Sequence, residues 1–93
     1  MTQTHTHTET VEGMINIRGQ ESDCTISIEG ETFEDNIFPM ASNGVHSRFV
    51  IKNIQTGALI GNQFISQKMS KEDLEAHCKL LAADINNTVN AFL

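Results

Sequence analysis

The chain has no tryptophan, no tyrosine and only one proline. Five phenylalanines and the aliphatic residues must therefore supply whatever core it builds. Its two cysteines, Cys24 and Cys78, stand far apart and in no metal or redox spacing. Both fall on apolar-phase positions, where a free thiol behaves as a small hydrophobe, so buried, reduced thiols are expected. No apolar run approaches the roughly 20 residues that cross a bilayer. No basic segment followed by an apolar one opens the chain, so nothing reads as a secretory signal. These absences point to a cytoplasmic protein without a membrane anchor.

A length of 93 residues is that of one domain. Met1 to Glu12 are nearly all Thr, His, Gln and Glu, with Val11 the only apolar residue after Met1. So little apolar surface cannot offset the entropy of ordering the chain. Residues 1–12 are therefore expected as a disordered tail and residues 13–93 as a single α+β domain. A domain of that size buries roughly 60–65% of its unfolded surface, which makes dimerisation helpful.

Twelve acids outnumber six Lys and Arg, giving a net charge of −6, and the two signs are segregated along the chain. Residues 9–35 contain eight of the acids and Arg18 as their only base; residues 36–71 contain Arg48, Lys52, Lys68 and Lys71 and no acid. If folding preserves that order, the molecule has an acidic face and a milder basic one.

The clearest element lies at the C-terminal end. Ser70-Lys71-Glu72-Asp73 fits a helix N-cap, with Met69 and Leu74 placed as a hydrophobic staple. From Leu74 an apolar stripe runs through Cys78, Leu81, Ile85, Val89 and Phe92 at steps of three and four. This pattern predicts one amphipathic helix from Lys71 to about Phe92, with Asn86, Asn87 and Asn90 mostly outside the stripe. Before it, Cys24, Ile26 and Ile28 alternate with polar residues as in a half-buried strand. Met14 to Arg18 reads as a short strand with Gly19–Ser22 as its exit loop, and Glu29-Gly30-Glu31 as a turn before a third short strand. Arg48–Ile54 and Ala58–Ser66 form a hairpin whose loop uses Gly57 for its left-handed residue. Asp35 to Gly44 reads as a loop by its Pro and Asn-Gly. The expected fold is an antiparallel β-meander of four to five strands packed by one C-terminal helix.

Patterns for chemistry are sparse. His5 and His7 alternate with threonine, but two ligands do not make a metal site, and His46 and His77 stand alone. Cys78 directly follows His77, and neighbours on a helix point about 100° apart. Gly57 to Asn62 lacks the Lys and Ser/Thr of a phosphate-binding loop. No enzyme, metal or cofactor is expected. Arg48, Lys52, Lys68 and Lys71, with Phe49 and Phe64 nearby, would suit a sheet face that binds single-stranded nucleic acid. Against this stands the net charge, since phosphate neutralisation dominates such binding.

Two features stand out for protein binding. Glu29, Glu31, Glu34 and Asp35 concentrate negative charge, and Ile37, Phe38 and Met40 follow in a loop without periodic reason for burial. Apolar residues rimmed by charge are what a contact patch looks like. The expected function is therefore that of a small acidic inhibitor or adaptor whose partner is a basic, nucleic-acid-binding protein. In size, charge and layout alone the chain resembles the inhibitors that phages and mobile elements direct at host defence complexes. The other readings are the sheet-face nucleic-acid binder and a small homodimeric assembly subunit using the helix as its seam.

Overall fold

The computed structural model describes residues 3–34 and 45–92. Four strands, β1 (Gln3–Ile17), β2 (Gln20–Phe33), β3 (Ser47–Asn53) and β4 (Leu59–Ile65), form one antiparallel sheet in chain order. Two helices, α1 (Lys71–Ala83) and α2 (Ile85–Phe92), pack on one face of it. This is the α+β meander with a C-terminal helical cover that the sequence predicts.

The first residues differ from expectation. Residues 3–12 are not a loose tail but most of β1, paired with β2 from Gln3–Phe33 to Ile17–Gln20. Hydropathy misses its first half because Gln3–Thr10 carry no apolar side chain and are ordered by backbone pairing. Every second residue from Thr4 to Thr10 is a threonine, a β-branched residue that favours extended chain without adding hydrophobicity. Thr4 Oγ1 also donates to the Thr32 carbonyl at 3.1 Å. At the other end the turn is tighter than Gly19–Ser22. Arg18 (φ 53°) and Gly19 (φ 84°) make a two-residue turn with both φ positive, the geometry that matches strand twist. Asn16 Oδ1 holds it by accepting the Gly19 N–H at 2.8 Å.

Strand alternation sorts the two faces. Ile15, Cys24, Ile26, Ile28, Phe49 and Ile51 point toward the helices and join Leu74, Cys78 and Val89 in a buried cluster. Glu29-Gly30-Glu31 is not a turn: Gly30 lies within β2, where Cys78 and Leu74 of α1 pack on the strand. A Cβ there would meet Cys78 Sγ at 2.8 Å, Phe49 Cε1 at 3.0 Å and Leu74 Cδ1 at 3.1 Å. Glycine in a strand commonly marks such an approach. Thr32, Ser47 and the Gln67 carbonyl form a polar chain beside it: Ser47 Oγ donates to Gln67 O at 2.6 Å and lies 3.1 Å from Thr32 Oγ1.

The helix begins as predicted, with Ser70 Oγ accepting the Asp73 N–H at 3.1 Å. It does not continue unbroken to Phe92. Asp84 leaves helical geometry (φ −123°, ψ 59°), and the Thr88 hydroxyl donates to the stranded Leu81 carbonyl at 2.6 Å. Asn87 Nδ2 donates to Asp84 Oδ2 at 2.8 Å, so polar side chains close the joint. The break lets α2 touch both outer strands, β1 and β4. At β4 it lies so near that a side chain on Gly61 would strike the Phe92 carbonyl.

Gly30→Val should therefore destabilise the protein by about 1–3 kcal/mol through overpacking. For a domain of this size that lowers the thermal midpoint by roughly 4–8 °C per kcal/mol. Circular dichroism melting is the measurement, and an unchanged midpoint would show that α1 is free to lift off the sheet.

Candidate functional site

Four of the sequence candidates, Glu29, Glu31, Arg48 and Lys52, meet on the face of the sheet away from the helices. Glu29 and Glu31 on β2 lie beside Lys52 and Arg48 on β3 because the register sets Glu31 opposite Arg48 and Ser27 opposite Lys52. Arg48 Nε donates to Glu31 Oε2 at 2.9 Å, with Nη2 on the same oxygen. Lys52 Nζ is 2.9 Å from Glu29 Oε2. Beyond the strand, Lys68 Nζ stands 3.5 Å from Glu34 Oε2, both well exposed. The acidic and basic stretches of the sequence therefore interleave in space, and much of their opposite charge cancels locally. Pairs this exposed contribute about 0–1 kcal/mol each to stability. Asp35, Ile37, Phe38 and Met40 lie outside the described residues.

The four bases do not form one patch. Arg48 and Lys52 lie on the face away from the helices, whereas Lys71 opens α1, which packs on the other. Phe49, which follows Arg48, is fully buried beneath α1. The ring near Arg48 is instead Phe33, with its centroid 5.8 Å from the guanidinium carbon. Cation and aromatic ring here satisfy each other. Phe64, opposite Arg48 on β4, is 40% exposed.

A second group on this face escaped the sequence reading. Asp23 is opposite Met14, Glu21 opposite Asn16 and Thr25 opposite Glu12. Since Ile15 and Cys24 point to the core, Glu12, Met14, Glu21 and Asp23 all point away from the helices. Met14 is 62% exposed, and the three carboxylates around it are exposed and make no ion pair among the described residues. The signal was present as alternation in Glu12-Gly13-Met14-Ile15. It becomes meaningful only once β1 is known to run through it. Between this group and the ion pairs, the Ser27 hydroxyl is buried without a hydrogen-bond partner.

The helix side holds the groups that suggested chemistry. The His77 ring lies against Phe49, centroids 4.5 Å apart, with Nε2 3.4 Å from Gln63 Oε1. Burial lowers the pKa of His77, favouring the neutral ring. Cys78 turns inward to Gly30. No group of three or more His, Cys, Asp or Glu among the described residues is placed to hold a metal. At the β1 margin, His7 Nε2 is 2.6 Å from Glu9 Oε1 and Lys79 Nζ is 2.9 Å from Glu75 Oε1. The Lys79 hydrogen bond and charge hold the Glu75 carboxyl below its usual range.

Cys24 and Cys78 are both free and buried. Burial pushes the Cys78 thiol up to about 11, with Glu9 adding to the shift. An acid whose pKa is raised by folding stabilises the native state below its unfolded pKa and loses that contribution as pH rises toward its folded one. Stability should thus fall by about 2–3 kcal/mol in the window between roughly pH 9 and 11. Denaturant titrations across that window should show this slope in the wild type and a flatter one in Cys78→Ala. In comparisons with known proteins, the chain matches no family model, no curated protein and no solved structure.

Proposed function

We propose that the chain is a non-enzymatic interaction protein. In this reading it binds a basic, nucleic-acid-binding protein, as an inhibitor or adaptor, through the face of its sheet that points away from the helices. The observation that carries this is how charge is distributed on that face. Arg48 and Lys52 are already engaged by Glu31 and Glu29, while Glu12, Glu21 and Asp23 around exposed Met14 make no ion pair among the described residues. Uncompensated carboxylates attract a basic surface and raise its rate of encounter, and an exposed flexible methionine suits an adaptable contact.

Relative to the sequence reading, the proposal shifts weight within the acidic region. Glu29, Glu31 and Glu34 have bases of their own, so the hairpin carboxylates supply more of the unbalanced charge. Asp35, Ile37, Phe38 and Met40 keep the part that the sequence suggests for them. The nucleic-acid reading loses support because phosphate would have to compete with Glu29 and Glu31 for the same bases. The helix-seam dimer loses support as well: Leu74, Cys78 and Val89 are spent on the sheet. Among the described residues no helix is long and apolar enough to cross a membrane.

The test is affinity capture with partner identification, comparing the wild type with Glu12→Lys/Asp23→Lys. These exposed substitutions should leave folding intact, since surface changes rarely exceed ~0.5 kcal/mol. Capture should weaken at least tenfold in the variant, most at low salt where screening is weak. The captured protein should itself bind nucleic acid in competition with this chain. Micromolar binding of single-stranded DNA or RNA by the chain alone, at about 150 mM salt and lost in Arg48→Ala/Lys52→Ala, would reverse the ranking.

A further inference from the structure

β1 is an outermost strand, so its backbone bonds to a neighbouring strand on one side only. Asn16 shows which residues face the other side. Its N–H donates to Asn86 Oδ1 at 3.0 Å, and its carbonyl accepts from Asn90 Nδ2 at 2.8 Å. The Arg18 N–H donates to Asn90 Oδ1 at 2.8 Å. Two asparagines of α2 thus take the place of a strand at this end of the edge. By the alternation of an antiparallel ladder, Met14, Glu12, Thr10, Thr8 and Thr6 turn their N–H and C=O outward as Asn16 does. No partner for these groups occurs among the described residues.

Native sheets usually protect such an edge with proline, lysine or a bulge along its length. Here Thr6, Thr8 and Thr10 offer exposed, β-favouring side chains, and the register irregularity lies back at Gln3–His5. We propose that this edge pairs with β1 of a second copy of the chain, antiparallel about a two-fold axis at Thr8, joining the two sheets into one. The axis follows from what each register sets face to face. An axis at Glu9 sets that carboxylate against its own copy, and an axis at His7 sets two imidazoles together. An axis at Thr10 brings Thr4 of the second copy onto Asn16, whose N–H and C=O belong to α2. With Thr8 on the axis, Thr6 meets Thr10 and His7 meets Glu9 of the second copy. That last pairing repeats across the axis the contact these two residues already make within one chain. In this register Glu12 lies opposite Thr4 of the second copy, while the side chains of Glu12, Met14 and Asp23 still project from the sheet face rather than its edge.

The experiment is sedimentation equilibrium over roughly 1–200 µM, with the wild type, Thr8→Pro and Thr8→Lys. The wild type should dimerise within that range. The Thr8 N–H points out of the β1–β2 ladder, so proline there removes only the outward donor and is compatible with an edge strand. Thr8→Pro should be monomeric with a wild-type circular dichroism spectrum. Thr8→Lys sets two like charges together on the axis and should weaken the dimer at least tenfold, with partial recovery in high salt. A wild type that stays monomeric throughout overturns the proposal, as does a dimer that Thr8→Lys leaves unchanged at every salt concentration. Should Thr8→Pro fail to fold, Thr8→Lys alone decides.

Discussion

The backbone ladder between β1 and β2 is the interaction on which the other features depend. It runs without a break from His5–Thr32 to Ile17–Gln20 and holds a strand whose first eight residues, Gln3–Thr10, are all polar. By setting Met14 opposite Asp23 and Val11 opposite Ile26, it decides which residues face the helices and which face outward. A shift of one residue would exchange the two sets and turn Ile15 to solvent. The positive-φ pair Arg18–Gly19 fixes that register at the turn.

The helices fit this hairpin through two close approaches. Gly30 lets α1 settle until Cys78 and Leu74 touch the strand, and Gly61 does the same for the end of α2. Between them Asp84 redirects the chain, and Thr88 answers the carbonyl that the break leaves open. Only after that change of direction can Asn86 and Asn90 reach the outer backbone of β1. Asn86 and Asn90, although exposed, therefore serve as partners of the sheet edge as well as surface residues.

Charge in this protein is arranged by strand pairing more than by sequence blocks. Carboxylates and bases that stand some twenty positions apart become cross-strand neighbours, which removes the acidic and basic faces suggested by the linear sequence. Net negative charge persists, and the sheet carboxylates that make no ion pair among the described residues, Glu12, Glu21 and Asp23, lie in the far half of the hairpin. A contact surface placed there would combine long-range attraction from the carboxylates with short-range packing on Met14.

The α+β class, the β3–β4 hairpin with Gly57, the N-cap at Ser70 and the apolar stripe from Leu74 to Val89 follow from sequence alone, because each is a local pattern with its own periodicity. The burial of both cysteines follows in the same way. Other features depend on contacts between distant residues. Threonine-rich β1 is ordered by a partner strand, and Gly30 reads as a turn until a helix is seen lying on it. The helix break at Asp84 draws on a hydroxyl four residues away, and no proline or glycine announces it. The pairing of Glu31 with Arg48 and of Glu29 with Lys52 likewise required the register, since charges far apart in the chain acquire neighbours only when backbone hydrogen bonds align their strands.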